Sequence, residues 1–165
     1  MSNEVKPSKP FVRETTIKDC AELAVTMREE DKQEVWHASR SSPKDVLLRS
    51  VSSSRLCWTV MWQGRVVAIF GVCGTKNDTG IPWMLASDDL VKIRKSFLRE
   101  CKDYVNKMQE HHPVLANIAW TKNTVHIQWL KWLGFEFQEP FPYGEDKELF
   151  TYFYRKTQAC VNQQL

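Results

Sequence analysis

Hydrophobic and polar positions along this chain switch repeatedly between a two-residue and a helical period. Residues 56–62 and 65–73 are apolar runs joined by Gln63-Gly64. Two β-rich runs around a short Gly-containing turn predict a hairpin. Residues 11–14, 81–86, 114–120, 135–137 and 149–154 read as five further strands. Helical spacing is clearest at Ile17, Cys20, Leu23, Ala24 and Met27, behind the start signal Thr16-Ile17-Lys18-Asp19. Residues 45–53 predict a second helix. The longest helix is predicted from Ser87-Asp88-Asp89 to about Glu110, with Leu90, Ile93, Phe97, Cys101, Tyr104, Val105 and Met108 as its buried stripe. His112-Pro113 ends it. Residues 28–40 form a charge-dense segment, and 39–43, 74–80 and 140–144 read as loops.

The stretch 123–135 is the most informative. Asn123 suits a helix N-cap, because its side-chain oxygen can accept from a free N–H of the first turn. Val125, Trp129, Leu130 and Leu133 then share one face. Gly134 stops the helix where a left-handed residue costs least. With the apolar run 114–120 before it, the order is strand, capped helix, Gly stop, strand. Strands alternating with helices in this way predict an α/β mixed sheet.

Size and composition narrow the field. At 165 residues the chain is expected to hold one domain over 11–156, with a polar arm at 1–10 and a polar tail at 157–165. A 42% hydrophobic content, with seven Trp and eight Phe, supports an aromatic core. The five cysteines are scattered and odd in number, which predicts reduced thiols in a cytosolic protein. The first ten residues lack a signal-peptide core, and no apolar run is long enough to span a bilayer. A net charge of +3 permits a phosphate-bearing ligand without arguing for specific nucleic acid. No phosphate loop, dinucleotide fingerprint or Ser-His-Asp spacing is present, and His111-His112 has no partners at metal spacing.

The element order and the 114–135 segment resemble the GCN5-related N-acetyltransferase (GNAT) superfamily. That resemblance implies a three-layer α/β fold: a mixed, mostly antiparallel seven-stranded sheet flanked by about four helices. It also implies acetyl-CoA as cofactor, with the thioester in a gap where the fourth and fifth strands splay apart. Trp83, Met84 and Leu85 would then line the thioester slot, and a fourth-strand amide N–H would polarise the carbonyl. Asn123 would hold the pantetheine side, with Arg94 and Lys95 near the pyrophosphate. Glu30 or Glu34, in the region where the family builds its acceptor pocket, would act as base. No metal is implied.

Two departures from the family pattern stand out. The family places pyrophosphate on a Gly-rich turn at the start of the long helix, where free N–H groups and the helix dipole favour an anion. Here that turn is Ala86-Ser87-Asp88-Asp89-Leu90-Val91, with no Gly and two carboxylates. A pair of like charges about 4 Å apart costs roughly 4 kcal/mol at an effective dielectric near 20. The family's acid tyrosine position is Leu130, leaving His126, one turn earlier, as candidate proton donor. Plain alternatives remain open for each: a helix cap for Asn123, a packing role for His126, and a solvated helix face for Glu29, Glu30, Asp31 and Glu34.

Met27-Arg28-x-x-Asp31-x-x-Glu34-Val35-Trp36, Ile81-Pro82-Trp83, Asn117, Asn123 and Trp129-Leu130-x-Trp132-Leu133-Gly134-Phe135 resemble a GNAT-like family of short-tailed phages. Its members include internal virion protein A and proteins called acetyltransferases. Two functions follow as expectations. One is an acyl-CoA-dependent N-acetyltransferase with a degenerate pyrophosphate turn, taking acetyl-CoA and an unknown amine. The other is a noncatalytic virion or morphogenesis protein whose partners are other phage or host proteins. Either would work in the host cytoplasm, and the second also in the particle. Fold alone does not choose between them.

Overall fold

The computed structural model describes residues 8–157. Most of the arm expected at 1–10 and the tail expected at 157–165 lie outside the described residues, as does Cys160. The order is β1 (Phe11–Glu14), α1 (Ile17–Thr26), α2 (Glu29–Ser39), α3 (Pro43–Ser53), β2 (Ser54–Trp62), β3 (Arg65–Gly74) and β4 (Thr79–Ala86). There follow α4 (Asp89–Lys92), α5 (Arg94–His111), β5 (Val114–Trp120), α6 (Thr124–Trp132), β6 (Glu136–Phe137), β7 (Phe141–Tyr143) and β8 (Glu148–Lys156).

The sheet runs β1-β2-β3-β4-β5-β8-β6, with β7 also paired to β8. Every pairing is antiparallel except β4 with β5. This is the GNAT-type sheet expected from the sequence, with, among the described residues, eight strands rather than seven and six helices rather than about four. The extra strand is β7, inside the segment read as a loop. The charge-dense 28–40 segment is helix α2. Its weak apolar stripe hid it: only Asp31 and Val35 are buried. Glu29, Glu30 and Asp31 in its first turn favour the positive end of the dipole. The long helix is divided, since Ile93 leaves helical geometry at φ −106° and ψ 7°. Its regular part therefore starts at Arg94, beyond the predicted start.

Two apolar layers cover the sheet. Phe70, Val72, Leu115 and Phe153 pack with Phe97, Cys101, Trp129 and Leu133 of α5 and the α6 region. On the other face Ile69 and Leu85 pack with Cys20, Leu23, Val35 and Leu47 of α1, α2 and α3. Each such side chain stabilises the fold by about 1.5–3 kcal/mol. The predicted Gly stop is present: Gly134 has φ +87°. Its N–H donates to the Lys131 carbonyl at 3.0 Å, and the Phe135 N–H to Leu130 at 3.0 Å, which closes a Schellman turn. The described cysteines are all free.

Candidate functional site

Strands β4 and β5 pair at only two positions, Thr79 with Val114 and Gly80 with Leu115. Contact there is close. A Cβ on Gly80 would come within 2.8 Å of His112 and Leu115, so glycine is what allows the strands to meet. Beyond this point they diverge into a V. The strands part, as the GNAT resemblance requires.

Groups of the protein itself satisfy several of the backbone positions along the V. Asn117 Nδ2 donates to the Pro82 carbonyl across the gap at 2.9 Å, and its Oδ1 accepts the Ile118 N–H at 2.8 Å. Glu34 Oε2 accepts the Trp120 N–H at 2.8 Å. At the mouth, Asp31 Oδ2 accepts the Ala86 N–H at 2.9 Å, and the Arg28 N–H donates to the Ala86 carbonyl at 2.8 Å. Ala86 faces Ala68 on β3, and Met84 faces Phe70. Because Ala86 turns its polar groups away from β3, strand parity turns those of Met84 the same way. The Met84 N–H and carbonyl thus point into the V.

Arg28, Asp31 and Asn123 form a bar across this mouth. Asp31 Oδ1 accepts from Asn123 Nδ2 at 2.9 Å and from Arg28 Nη1 at 3.0 Å. Arg28 Nη1 also lies 3.5 Å from Asn123 Oδ1. All three residues are buried, Asn123 completely. The backbone of Met27 bridges to Ser87, anchoring the bar to the end of β4. Burial pushes the Asp31 carboxyl upward, against the charge of Arg28. The space left between Arg28, Asp31, Met84, Leu90, Val125 and Trp129 is about 10 Å³, at the lower limit for one water.

Asn123 was expected to cap α6 through its side chain. That is corrected: its side chain makes no capping bond, because Nδ2 donates to Asp31 and Oδ1, the atom a cap would use, is turned toward Arg28 Nη1. The sequence could not reveal this, since the partner lies 92 positions away.

His126 stands at the centre of the V and borders the cavities on both sides. Its Nδ1 lies 3.3 Å from Glu34 Oε1. Burial pulls the imidazole down, but the charge and hydrogen bond of Glu34, with the charge of Asp31, outweigh it and hold the ring above its ordinary value. Glu30, the other candidate base, is half-exposed and 3.4 Å from Arg28 Nη2. Trp83 and Met84 border the cavities, and Trp83 Nε1 donates to Ser54 Oγ at 2.8 Å. Leu85 is buried, packing under α1 and α3. Leu130 lines an apolar void of about 60 Å³ with Cys101, Val105 and Phe153.

At the start of the long helix, Asp89 is held by Arg65 Nε at 3.0 Å and Lys92 Nζ at 3.1 Å. Burial would raise its carboxyl, yet these two cations hold it below the usual range. Arg94 and Lys95 are exposed, and neither makes an ion pair among the described residues. Of the two remaining residues of the bar, Arg28 carried no assigned role in the sequence reading, and Asp31 only the role shared by the four carboxylates of the charged segment, a base or a binder of a cationic amine. Their three-residue spacing on a helix was the available signal.

Residues 56–142 match the sequence model of the family described as "Bacteriophage T7, probable scaffold protein Gp13". The chain belongs to this family. It is similar to the "Probable scaffold protein gp13" of Escherichia phage T7, 31% identical over 99 residues, covering 58% of this chain and 68% of the phage T7 protein. Among solved structures, it resembles the aminoglycoside acetyltransferase AAC(6')-Ib in complex with ribostamycin and coenzyme A, at TM-score 0.66 and 14% identity, over 96% of this chain and 99% of that one. It also resembles a ribosomal-protein-alanine N-acetyltransferase from Brucella melitensis, at TM-score 0.67 and 11% identity, over 89% and 99%. At these identities the likeness shows the fold. Among the described residues, no cluster of three or more His, Cys, Asp and Glu is placed to hold a metal, and no helix is long and apolar enough to cross a membrane.

Proposed function

We propose that this protein is a noncatalytic phage morphogenesis protein that keeps the GNAT scaffold and has closed the cofactor half of its cleft. The observation that carries this reading is the bar of Arg28, Asp31 and Asn123 across the mouth of the V. A pantetheine arm in the GNAT manner needs free backbone groups on β4 and the side chain of Asn123. Here Ala86 has both polar groups bonded, and Asn123 is turned to Asp31. Entry requires breaking a buried, charge-assisted network, and leaving such groups unpaired costs about 1–3 kcal/mol each. Asp88 adds a carboxylate where a pyrophosphate would sit, while Asp89 is paired with Arg65 and Lys92. The residues present therefore do not fit acetyl-CoA. The scaffold role named for the phage T7 relative supports assembly as the alternative use of the fold.

A second reading, amine acetylation, draws support from the Met84 N–H directed into the V and from the Glu34–His126 pair beside it. Calorimetric titration with acetyl-CoA separates the two. No binding below about 100 μM is expected, equivalent to about −5.5 kcal/mol. Micromolar affinity would overturn the noncatalytic reading. Deleting the gene should stall particle assembly, and the active-slot variant Met84→Pro, which lacks the N–H, should still support it.

A further inference from the structure

Charge is divided along the length of α5. Lys95, Arg99, Lys102, Asn106 and Gln109 follow one another at spacings of four and three, so they share one flank of the helix. That flank is turned to α6 and β8. Lys102 Nζ sits 4.1 Å from the centroid of the Trp132 ring. Asn106 Oδ1 accepts from both Arg155 Nη atoms at 3.3 Å, and Gln109 Nε2 donates to the Arg155 carbonyl at 3.0 Å. The opposite flank turns to β1 and β2, where Ser96 and Glu100 border Val12 and Val60. Its charged residues Glu100, Asp103 and Lys107 are of mixed sign.

The cations of the first flank have no carboxylate to answer them. Lys95, Arg99, Lys102 and Arg155 make no ion pair among the described residues. Arg155 is partly buried between Asn106 and the turn at Gly134, where an added Cβ would stand 3.7 Å from its Nε. Burial pushes its guanidinium down. A desolvated charge calls for a counter-charge. Beside this row Trp132 is 43% exposed, and a large amphipathic ring of that kind anchors interfaces.

We propose that this flank docks an acidic α-helix of a partner protein, with carboxylates at the same four-and-three spacing and an aliphatic residue against Trp132. Rows of opposite sign on two helices pair side by side, as flanking charges do in coiled coils. Single exposed ion pairs are weak, so affinity comes from the row acting together around one apolar anchor. Nucleic acid is the disfavoured polyanion. Its phosphates carry charge at every step and would meet Glu110, which stands with Asn106, Gln109 and Arg155 in one notch, whereas a helix can set a neutral residue there. Stacking a base needs an open ring face, and Lys102 lies over one face of Trp132.

The surface is separate from the V. Lys102 and Asn106 lie about 12 and about 18 Å past the start of α5, by the helical rise per residue. The inference rests on the assembly reading in one respect, that the partner is a protein met during assembly. Binding itself needs nothing from the cleft.

The test is fluorescence anisotropy of a labelled helical peptide of about 21 residues, built from the heptad Glu-Ala-Ala-Leu-Glu-Ala-Ala and titrated with the full chain. Binding at about 1–100 μM in low salt is expected, weakened at least about tenfold at about 0.5 M salt. Lys102→Glu should weaken it at least about tenfold, and Arg155→Gln and Trp132→Ala at least about threefold. Lys107→Glu makes the same charge change on the opposite flank and should leave binding within about twofold. The peptide with Gln in place of Glu should bind at least about tenfold more weakly. Absence of saturable binding, equal binding of the Gln peptide, or equal losses in Lys107→Glu and Lys102→Glu would each overturn the proposal. Tighter binding of a labelled single-stranded oligonucleotide, with the same dependence on Lys102, would overturn the protein partner. Normal particle assembly without the gene, with peptide binding intact, would overturn the assembly reading and leave the surface standing, so the two failures are distinct.

Discussion

Asn123 donates its side-chain amide to Asp31 at 2.9 Å, and this bond ties the head of α6 to α2 across the end of β4. The same carboxylate receives the Ala86 N–H and the Arg28 guanidinium. One aspartate thereby joins the last residue of β4 and two helices. The mouth of the V is closed by hydrogen-bonded polar atoms rather than by apolar bulk, so single substitutions can probe it.

Asn123→Ala should cost about 1–3 kcal/mol, because it strips a donor from a buried carboxylate. Loss of a surface cap would cost typically about 1 kcal/mol. Urea denaturation of this variant beside Ser42→Ala compares the two cases. Ser42 does cap its helix, accepting from the Asp45 N–H at 3.2 Å. A smaller loss for Asn123→Ala than for Ser42→Ala would contradict the bar.

Stability should fall as pH rises through the raised value of His126. A histidine held above its ordinary 6.5 contributes stability that is fully present below 6.5 and disappears as the folded-state ring deprotonates. Urea midpoints at about pH 6 and about pH 9 measure the slope, with values corrected for the rest of the chain by the His126→Gln variant. Glu34→Gln should flatten it, since Glu34 supplies the main opposing charge to burial.

Acid should act through Asp19. Burial would raise this carboxyl, but hydrogen bonds from Arg13, the Thr16 N–H and Thr59 hold it down to about 2. Arg13 approaches both oxygens, at 2.8 and 2.9 Å. The contribution, about 2 kcal/mol, is present above the ordinary value and is lost as pH falls toward the folded one. Thermal unfolding of wild type and Asp19→Asn between about pH 5 and about pH 2.5 should show the difference between them shrinking with acid.

Gly144→Ala should destabilise the β7–β8 turn by more than about 1 kcal/mol. Gly144 has φ +74°, and an added Cβ would collide with the His37 carbonyl oxygen at the end of α2. Arg40 and His37 pair with Asp146 beside it, so α2 is docked on this turn. Gly64→Ala is the control. Its φ is +72° with nothing within 4 Å, so it carries the conformational cost alone, about 1 kcal/mol. Equal midpoints for the two variants would show that the His37 contact is not tight.

Legibility in the sequence followed range. Gly134 ended its helix as expected because a Schellman turn is made within six residues. The β2–β3 hairpin was equally plain, since its turn and both arms are contiguous. Helix α2 was not, because its buried face is an aspartate and a valine, and no hydrophobic count registers a buried carboxylate. Among candidate site residues, Glu34 and His126 do meet at 3.3 Å. Glu30 points to Arg28 at the edge, and Arg94 and Lys95 stay at the surface.

Local order, helix stops, strand periodicity and the likeness to a superfamily were settled by the residues in line, because each depends on neighbours a few positions apart. The direction in which Asn123 faces was not. A helix-start asparagine has two stable uses, capping its own backbone or bonding a distant group. Only folding, which carries Asp31 and the buried charge of Arg28 to its side, decides between them. The closure at the mouth of the V follows from that choice.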